Sequence, residues 1–257
     1  MSAPDLATTL AAAKASGRKI LIPYVMAGMT DDWIEVIHAA FAAGADAVEV
    51  GLPFSDPIID GEVIQRAAIA SLDRGTTAPS VLAQLAAEVF AGPIVVMTYF
   101  NVISHLGIER FCGLAKEAGV TGAIIADLSL EEIGPWANVG DAAGIATVML
   151  VAPSTPVSRT KLIAERSRGF VYAVARMGVT GVRSELGGDM ESVVGKIKEA
   201  STLPVCVGIG VSSPEQATSV AAVADGVIVG SALVQRLLDG QGPQGAAEFI
   251  ASLRQAI

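Results

Sequence analysis

Short, uncharged or nearly uncharged runs rich in Val, Ile and Ala recur along this chain at 19–25, 47–52, 94–99, 122–127, 146–151, 170–174, 205–208 and 226–229. They are β-branched and mostly apolar at successive positions, the pattern of strands buried on both faces of a parallel sheet. Between them lie stretches with helical spacing near 31–43, 62–73, 78–90, 107–118, 129–139, 157–167, 188–199, 213–223 and 231–239, and a last one at 244–256. Ser213 ahead of Pro214 and Glu215 reads as an N-cap with proline at the first helical position, and Thr30 ahead of Asp31 and Asp32 marks another helix start. Eight strand–helix units in 257 residues predict an α/β chain folded as a single (β/α)8 TIM barrel over 1–257, where an open doubly wound sheet would have fewer strands. The helical segment 5–15 precedes the first strand, and an extra N-terminal helix there is expected to cover the bottom of the barrel.

Composition narrows the class of ligand. Residues are 52% hydrophobic but only 5% aromatic, and 17 Lys plus Arg against 26 Asp plus Glu give a formal net charge of −9. That balance argues against nucleic acid or an anionic membrane as partner, so any anionic ligand must be held by local groups. Cys112 and Cys206 have no Cys or His neighbour at metal-site spacing and read as two free buried thiols of a cytoplasmic protein. Residues 1–19 carry Asp5, Lys14, Arg18 and Lys19 and do not resemble a secretion signal. The uncharged run 89–108 contains Gly92, Pro93, Asn101 and Gly107 and reads as strand plus loop. HExxH, Walker A, GxGxxG and GxSxG patterns are absent, which leaves metal hydrolysis, NTP use and serine-esterase chemistry without support.

In a (β/α)8 barrel the chemistry sits at the C-terminal ends of the strands. Glu49 lies in Val48-Glu49-Val50-Gly51, where alternation sends it opposite to its apolar neighbours and into the barrel mouth. A carboxyl there has a raised pKa and can give and take a proton near neutrality; the alternative is a Glu bonded structurally in the core or paired with a Lys. The long loop 51–61 that follows holds two prolines and two aspartates, and Asp60 is placed to return over the mouth and face Glu49, unless it serves only as a turn former. Glycines cluster after the last three strands: Gly178 and Gly181, Gly208 and Gly210, and Gly230 with Ser231. The last two loops, with the helix start at Ser231, form an anion nest of backbone N–H groups in the position where barrels bind phosphate. Tyr24, Tyr99 and Tyr172 fall near strand ends and either wall an aromatic pocket or pack the rim. His38, on the first amphipathic helix, and His105, in a loop after the third strand, read as ordinary surface or loop histidines.

The segments Leu21-Ile22-Pro23-Tyr24, Glu49 through Pro57 with Asp60-Gly61, Met97 through Asn101, Gly178 through Gly181 and Val229 through Ala232 together resemble the tryptophan synthase α subunit family, along essentially the whole chain. The resemblance implies retro-aldol cleavage of indole-3-glycerol phosphate to indole and glyceraldehyde 3-phosphate, with no cofactor in this chain. Glu49 matches the family's proton-transfer glutamate and Asp60 the aspartate that accepts the indole N–H. Tyr24, Tyr99, Tyr172 and Thr180 match positions around the substrate, and Gly181, Gly210, Gly230 and Ser231 match phosphate-binding positions. The implied partner is a pyridoxal-phosphate β subunit in an α2β2 assembly, with Pro53, Phe54, Asp56, Pro57 and Asn101 on the contact face. Ala27 through Asp31 replaces the family's usual Gly-Asp-Pro turn, Glu62 stands where proline is common, and Ala175 where serine is often found. Three rival readings are a stand-alone lyase that releases indole, an activating partner without its own catalysis, and another sugar-phosphate barrel enzyme. The last has no reason to carry the Glu49 to Asp60 block.

Overall fold

A computed structural model describes residues 4–174, 185–208 and 210–257; side chains are described outside 185–189. Eight parallel strands close in sequence order into a barrel: β1 (Ile20–Met26), β2 (Val48–Gly51), β3 (Ile94–Thr98), β4 (Val120–Ile125), β5 (Ala146–Val151), β6 (Val171–Val174), β7 (Val205–Gly208) and β8 (Gly226–Val229). The ring closes where β8 pairs with β1, with Ile22 opposite Ile228. The expected strands are all present. The fourth starts two residues earlier than expected and ends at Ile125.

The barrel is filled by alternate residues of every strand. Ile20 and Ile22, Ala47, Val95, Ile124, Val148, Phe170, Tyr172, Cys206 and Ile228 form one buried interior cluster, while the intervening positions pack outward against the helices. Such layers suit a chain poor in rings and rich in branched aliphatics. Helix α1 (Leu6–Ala15), capped by Asp5 accepting the Thr8 N–H at 2.7 Å, plugs the bottom, as its sequence position suggested. Leu6 and Leu10 are fully buried in the interior cluster, and a Cβ on Gly122 would come within 2.5 Å of Leu6 Cδ2. The same end is tied by two acidic side chains. Asp46 accepts the Leu21 N–H at 2.9 Å and pairs with Arg18 and with Arg254 of the C-terminal helix α12 (Gly242–Ala256); Asp225 accepts the Val205 N–H and pairs with Lys14 of α1.

Three expectations need correction. Thr30 does not cap α2 (Trp33–Ala42): the N-cap is Asp32, with no side-chain bond, and Thr30 Oγ1 is buried without a partner. The helix expected at 129–139 is α7 (Gly134–Ala143), since Pro135 sits in its first turn and Gly144 ends it with φ +81°. An unexpected helix α5 (Phe100–Leu106) follows β3, so His105 lies in its last turn and not in a loop. By contrast, Ser213 does cap α10 (Pro214–Val223), and both cysteines are buried and free.

Candidate active site

The interior face of the strands carries hydrocarbon from the bottom upward and turns polar at the top. Glu49 is the Cα partner of Tyr24 on β1 and of Val95 on β3, and only 1% of it is exposed. Its Oε2 has no hydrogen-bond partner among the described residues, which enclose the carboxyl without donors that would hold it ionised. Burial, reinforced by the charge of Asp60, pushes its pKa up to about 8. Among the described residues neither a hydrogen bond to this oxygen nor a lysine partner is present.

Asp60 comes to the same space from the loop after β2. The loop folds back on itself through Ile58 N–H to Asp56 C=O (2.9 Å) and Asp60 N–H to Pro57 C=O (3.1 Å), and Gln65 donates to the Asp60 carbonyl at 2.8 Å from α3 (Glu62–Asp73). Half-buried, the Asp60 carboxyl has its pKa pushed up to about 6, with the Tyr99 phenol working in the opposite direction as a donor. Two carboxyls of one site are thus separated in affinity for the proton, the arrangement that lets one act as acid while the other stays ionised.

Tyr99 joins these parts. It follows β3 directly, stacks its ring on Phe54 at 5.0 Å between centroids, and accepts the Ile59 N–H on its hydroxyl at 3.2 Å. Its backbone is fixed from the neighbouring strand, because the Asp127 carboxylate after β4 accepts the Phe100 N–H at 2.7 Å at the start of α5. Asp127 was not singled out from sequence. An acidic residue at a strand end was the available signal, but nothing in the linear chain places it over the first turn of a helix 27 positions earlier.

Tyr24 and Tyr172 are 6% and 7% exposed, and burial above all, followed by the charges of Asp60 and Glu49, raises both phenols well above the ordinary value. Each reaches over a glycine at the end of the next strand: a Cβ on Gly51 would collide with the Tyr24 hydroxyl, and one on Gly208 with that of Tyr172. Between Tyr24, Met26, Leu52, Asp60, Met97 and Tyr99 remains a cavity of about 10 Å³, room for one water at most.

Where β8 meets β1, Gly230 is the N-cap of α11 (Ser231–Leu238). The first helical bonds run from the Leu233 and Val234 N–H groups to Gly230 C=O, so the amides of Ser231 and Ala232 lack a helical acceptor. A Cβ on Gly230 would lie 3.8 Å from Tyr24 Cβ, which sets this helix start beside the tyrosine wall. Gly210, exposed after β7, has φ +93°, a conformation suited to glycine. Thr180 and Gly181 lie outside the described residues, as do Gly178 and Ala175. Of the expected contact face, Asp56 and Asn101 are exposed and Phe54 and Pro57 partly so, whereas Pro53 is buried. Ile58, 86% exposed, is the most solvent-accessible large apolar side chain of that loop and was not among the residues expected there.

Among the described residues no group of His, Cys, Asp and Glu is arranged to hold a metal ion, and no helix is long and apolar enough to cross a membrane. A closed parallel barrel whose C-terminal mouth gathers carboxyls and a helix start is the architecture of the (β/α)8 barrel enzymes, which place their sites at that face. The family model described as tryptophan synthase alpha chain matches residues 10–255. The chain belongs to the tryptophan synthase alpha chain family. It is 45% identical to the tryptophan synthase alpha chain of Streptomyces avermitilis, covering 96% of this chain and 91% of that one, and 44% identical to that of Thermobifida fusca, covering 96% and 97%. Among solved structures it resembles Mycobacterium tuberculosis tryptophan synthase, with a TM-score of 0.89 at 37% identity over 100% of this chain and 99% of that one.

Proposed function

We propose that this chain cleaves indole-3-glycerol phosphate to indole and glyceraldehyde 3-phosphate by a retro-aldol reaction driven by Glu49 and Asp60. The observation that carries the reading is the buried, unpartnered Glu49 carboxyl, still protonated near neutrality, opposed by the more acidic Asp60. Glu49 donates its proton to the indole ring carbon that bears the side chain. The ring becomes an indolenine cation, and the Asp60 carboxylate accepts a hydrogen bond from its N–H and stabilises the charge. The Glu49 carboxylate then takes the proton of the adjacent side-chain hydroxyl; the C–C bond breaks, its electrons return to the ring, and the hydroxyl carbon leaves as the aldehyde. Glu49 ends the cycle protonated.

Tyr24, Tyr99 and Tyr172 wall the indole, and the amides at Gly210, Gly230 and Ser231 hold the phosphate, with Thr180 and Gly181 as further substrate-binding residues. Backbone dipoles let a chain of net charge −9 bind phosphate without relying on a broad basic patch. The partner is a pyridoxal-phosphate β subunit in an α2β2 assembly, which receives indole for tryptophan synthesis in the cytoplasm; this chain needs no cofactor of its own. Phe54, Asp56, Pro57 and Asn101 form the contact face, and buried Pro53 supports it from beneath. Indole release from indole-3-glycerol phosphate, measured with and without a β subunit, tests the reading. Release that rises on adding the partner is expected. Full turnover by the isolated chain would favour a stand-alone lyase, and stimulation of the partner without any release an inactive activator.

A further inference from the structure

We infer that the Tyr24 hydroxyl, seated over Gly51, sets the limit on ring substitution in the indole subsite; the inference rests on the reaction proposed above. Tyr24 stands in register with Glu49, and its phenol reaches along β2 until the oxygen occupies the place a Cβ would take at Gly51. Glycine at 51 is what admits the hydroxyl there. The oxygen is buried, and among the described residues its polar contact is Met26 Sδ at 4.0 Å, a weak acceptor at long range. A hydroxyl enclosed without an oxygen or nitrogen acceptor works against stability, so hydrogen bonding does not account for its presence. Tyr99 differs, because its hydroxyl takes the Ile59 N–H.

What the Tyr24 oxygen does supply is volume. Tyr24 and Met26 both line the cavity that Asp60 also lines, beside Leu52 of the chain just past Gly51. An indole whose N–H is drawn to Asp60 has its benzo ring among these same side chains. A methyl group on that ring competes with the phenol oxygen for the space above Gly51.

The test compares indole-3-glycerol phosphate with its analogues carrying one methyl group at each benzo position, in wild type and Tyr24→Phe. The readout is the ratio of kcat/KM for each methylated compound to the parent, which a purely structural role of the hydroxyl would leave unmoved. For at least one position the ratio is expected to rise about tenfold or more in Tyr24→Phe, the discrimination one methyl-sized change brings in an apolar pocket. Gly51→Ala, which drives the phenol toward the cavity, is expected to lower the same ratio. Binding is read in parallel as Kd ratios on a Glu49→Gln background, where the substrate stays uncleaved. Shifted Kd ratios in a chain whose wild type releases no indole would overturn the reaction and keep this inference. Ratios within twofold of wild type at every position, in both assays, overturn the inference.

Discussion

The hydroxyl of Tyr99 accepts the N–H of Ile59 at 3.2 Å, and through this bond a residue at the end of β3 holds the loop that carries Asp60. The ring below it is stacked on Phe54, a second contact between the loop and the strand end. Tyr99→Phe keeps the stack and removes both the acceptor for Ile59 and the donor that lowers the Asp60 pKa. We expect kcat/KM to fall about tenfold, in line with about 1.5 kcal/mol for a hydrogen bond to a charged group. Its acid limb is expected to move to higher pH than in wild type. An unchanged acid limb in the pH–rate profile would separate Tyr99 from Asp60.

The pH dependence follows from the two carboxyls. Asp60 must be ionised to receive the ring N–H, so kcat/KM declines as pH drops through about 6; Glu49 must be protonated to donate, so it declines as pH rises through about 8. The profile is therefore bell-shaped with its maximum near neutrality, and because the groups interact its limbs belong to the pair. Asp60→Asn is expected to abolish the acid limb in whatever activity survives. A profile flat from pH 5 to about 9 would contradict both assignments.

Glu49→Gln is expected to leave the fold intact and eliminate cleavage; more than about a tenth of the wild-type rate, a difference of only about 1.4 kcal/mol in barrier, would sink the role. The same substitution has a signature in stability. Below about 4.5 the carboxyl is protonated in both folded and unfolded chains; above it the unfolded chain loses the proton while the folded one keeps it up to about 8. The folded state then binds more protons, so wild-type stability drops as pH rises through that window. Denaturation of Glu49→Gln against wild type is expected to show a gain that grows from pH 4.5 to pH 8, reaching the order of a few kcal/mol.

At the other end of the barrel, Leu6 is wholly buried against the backbone of Gly122 and Gly169. Leu6→Ala leaves a cavity under the strands and is expected to cost about 2–5 kcal/mol in denaturant unfolding, with kcat changed by less than twofold. A large loss of kcat with unchanged stability would place function at the bottom face and overturn the division between the two ends.

The sequence by itself determined the strands, because parallel strands buried on both faces leave continuous β-branched runs, and it determined Glu49 as an inward position by its parity within one such run. It also marked Asp60 by its place in the long loop after β2, and the three tyrosines, Gly210 and Gly230 by their places near strand ends, where a barrel places its chemistry. Tertiary structure alone decided the rest. That Glu49 Oε2 finds no donor, that the Tyr24 oxygen replaces a side chain at Gly51, and that Asp127 fixes the start of α5 are relations between neighbouring strands. Linear periodicity tells which face a residue occupies but not which atom on the next strand it meets, and α5 escaped notice because its seven residues are too few to show a helical period. The carboxyl pKa values follow from the same enclosure: burial is a property of the closed barrel, and no segment of the chain has it alone.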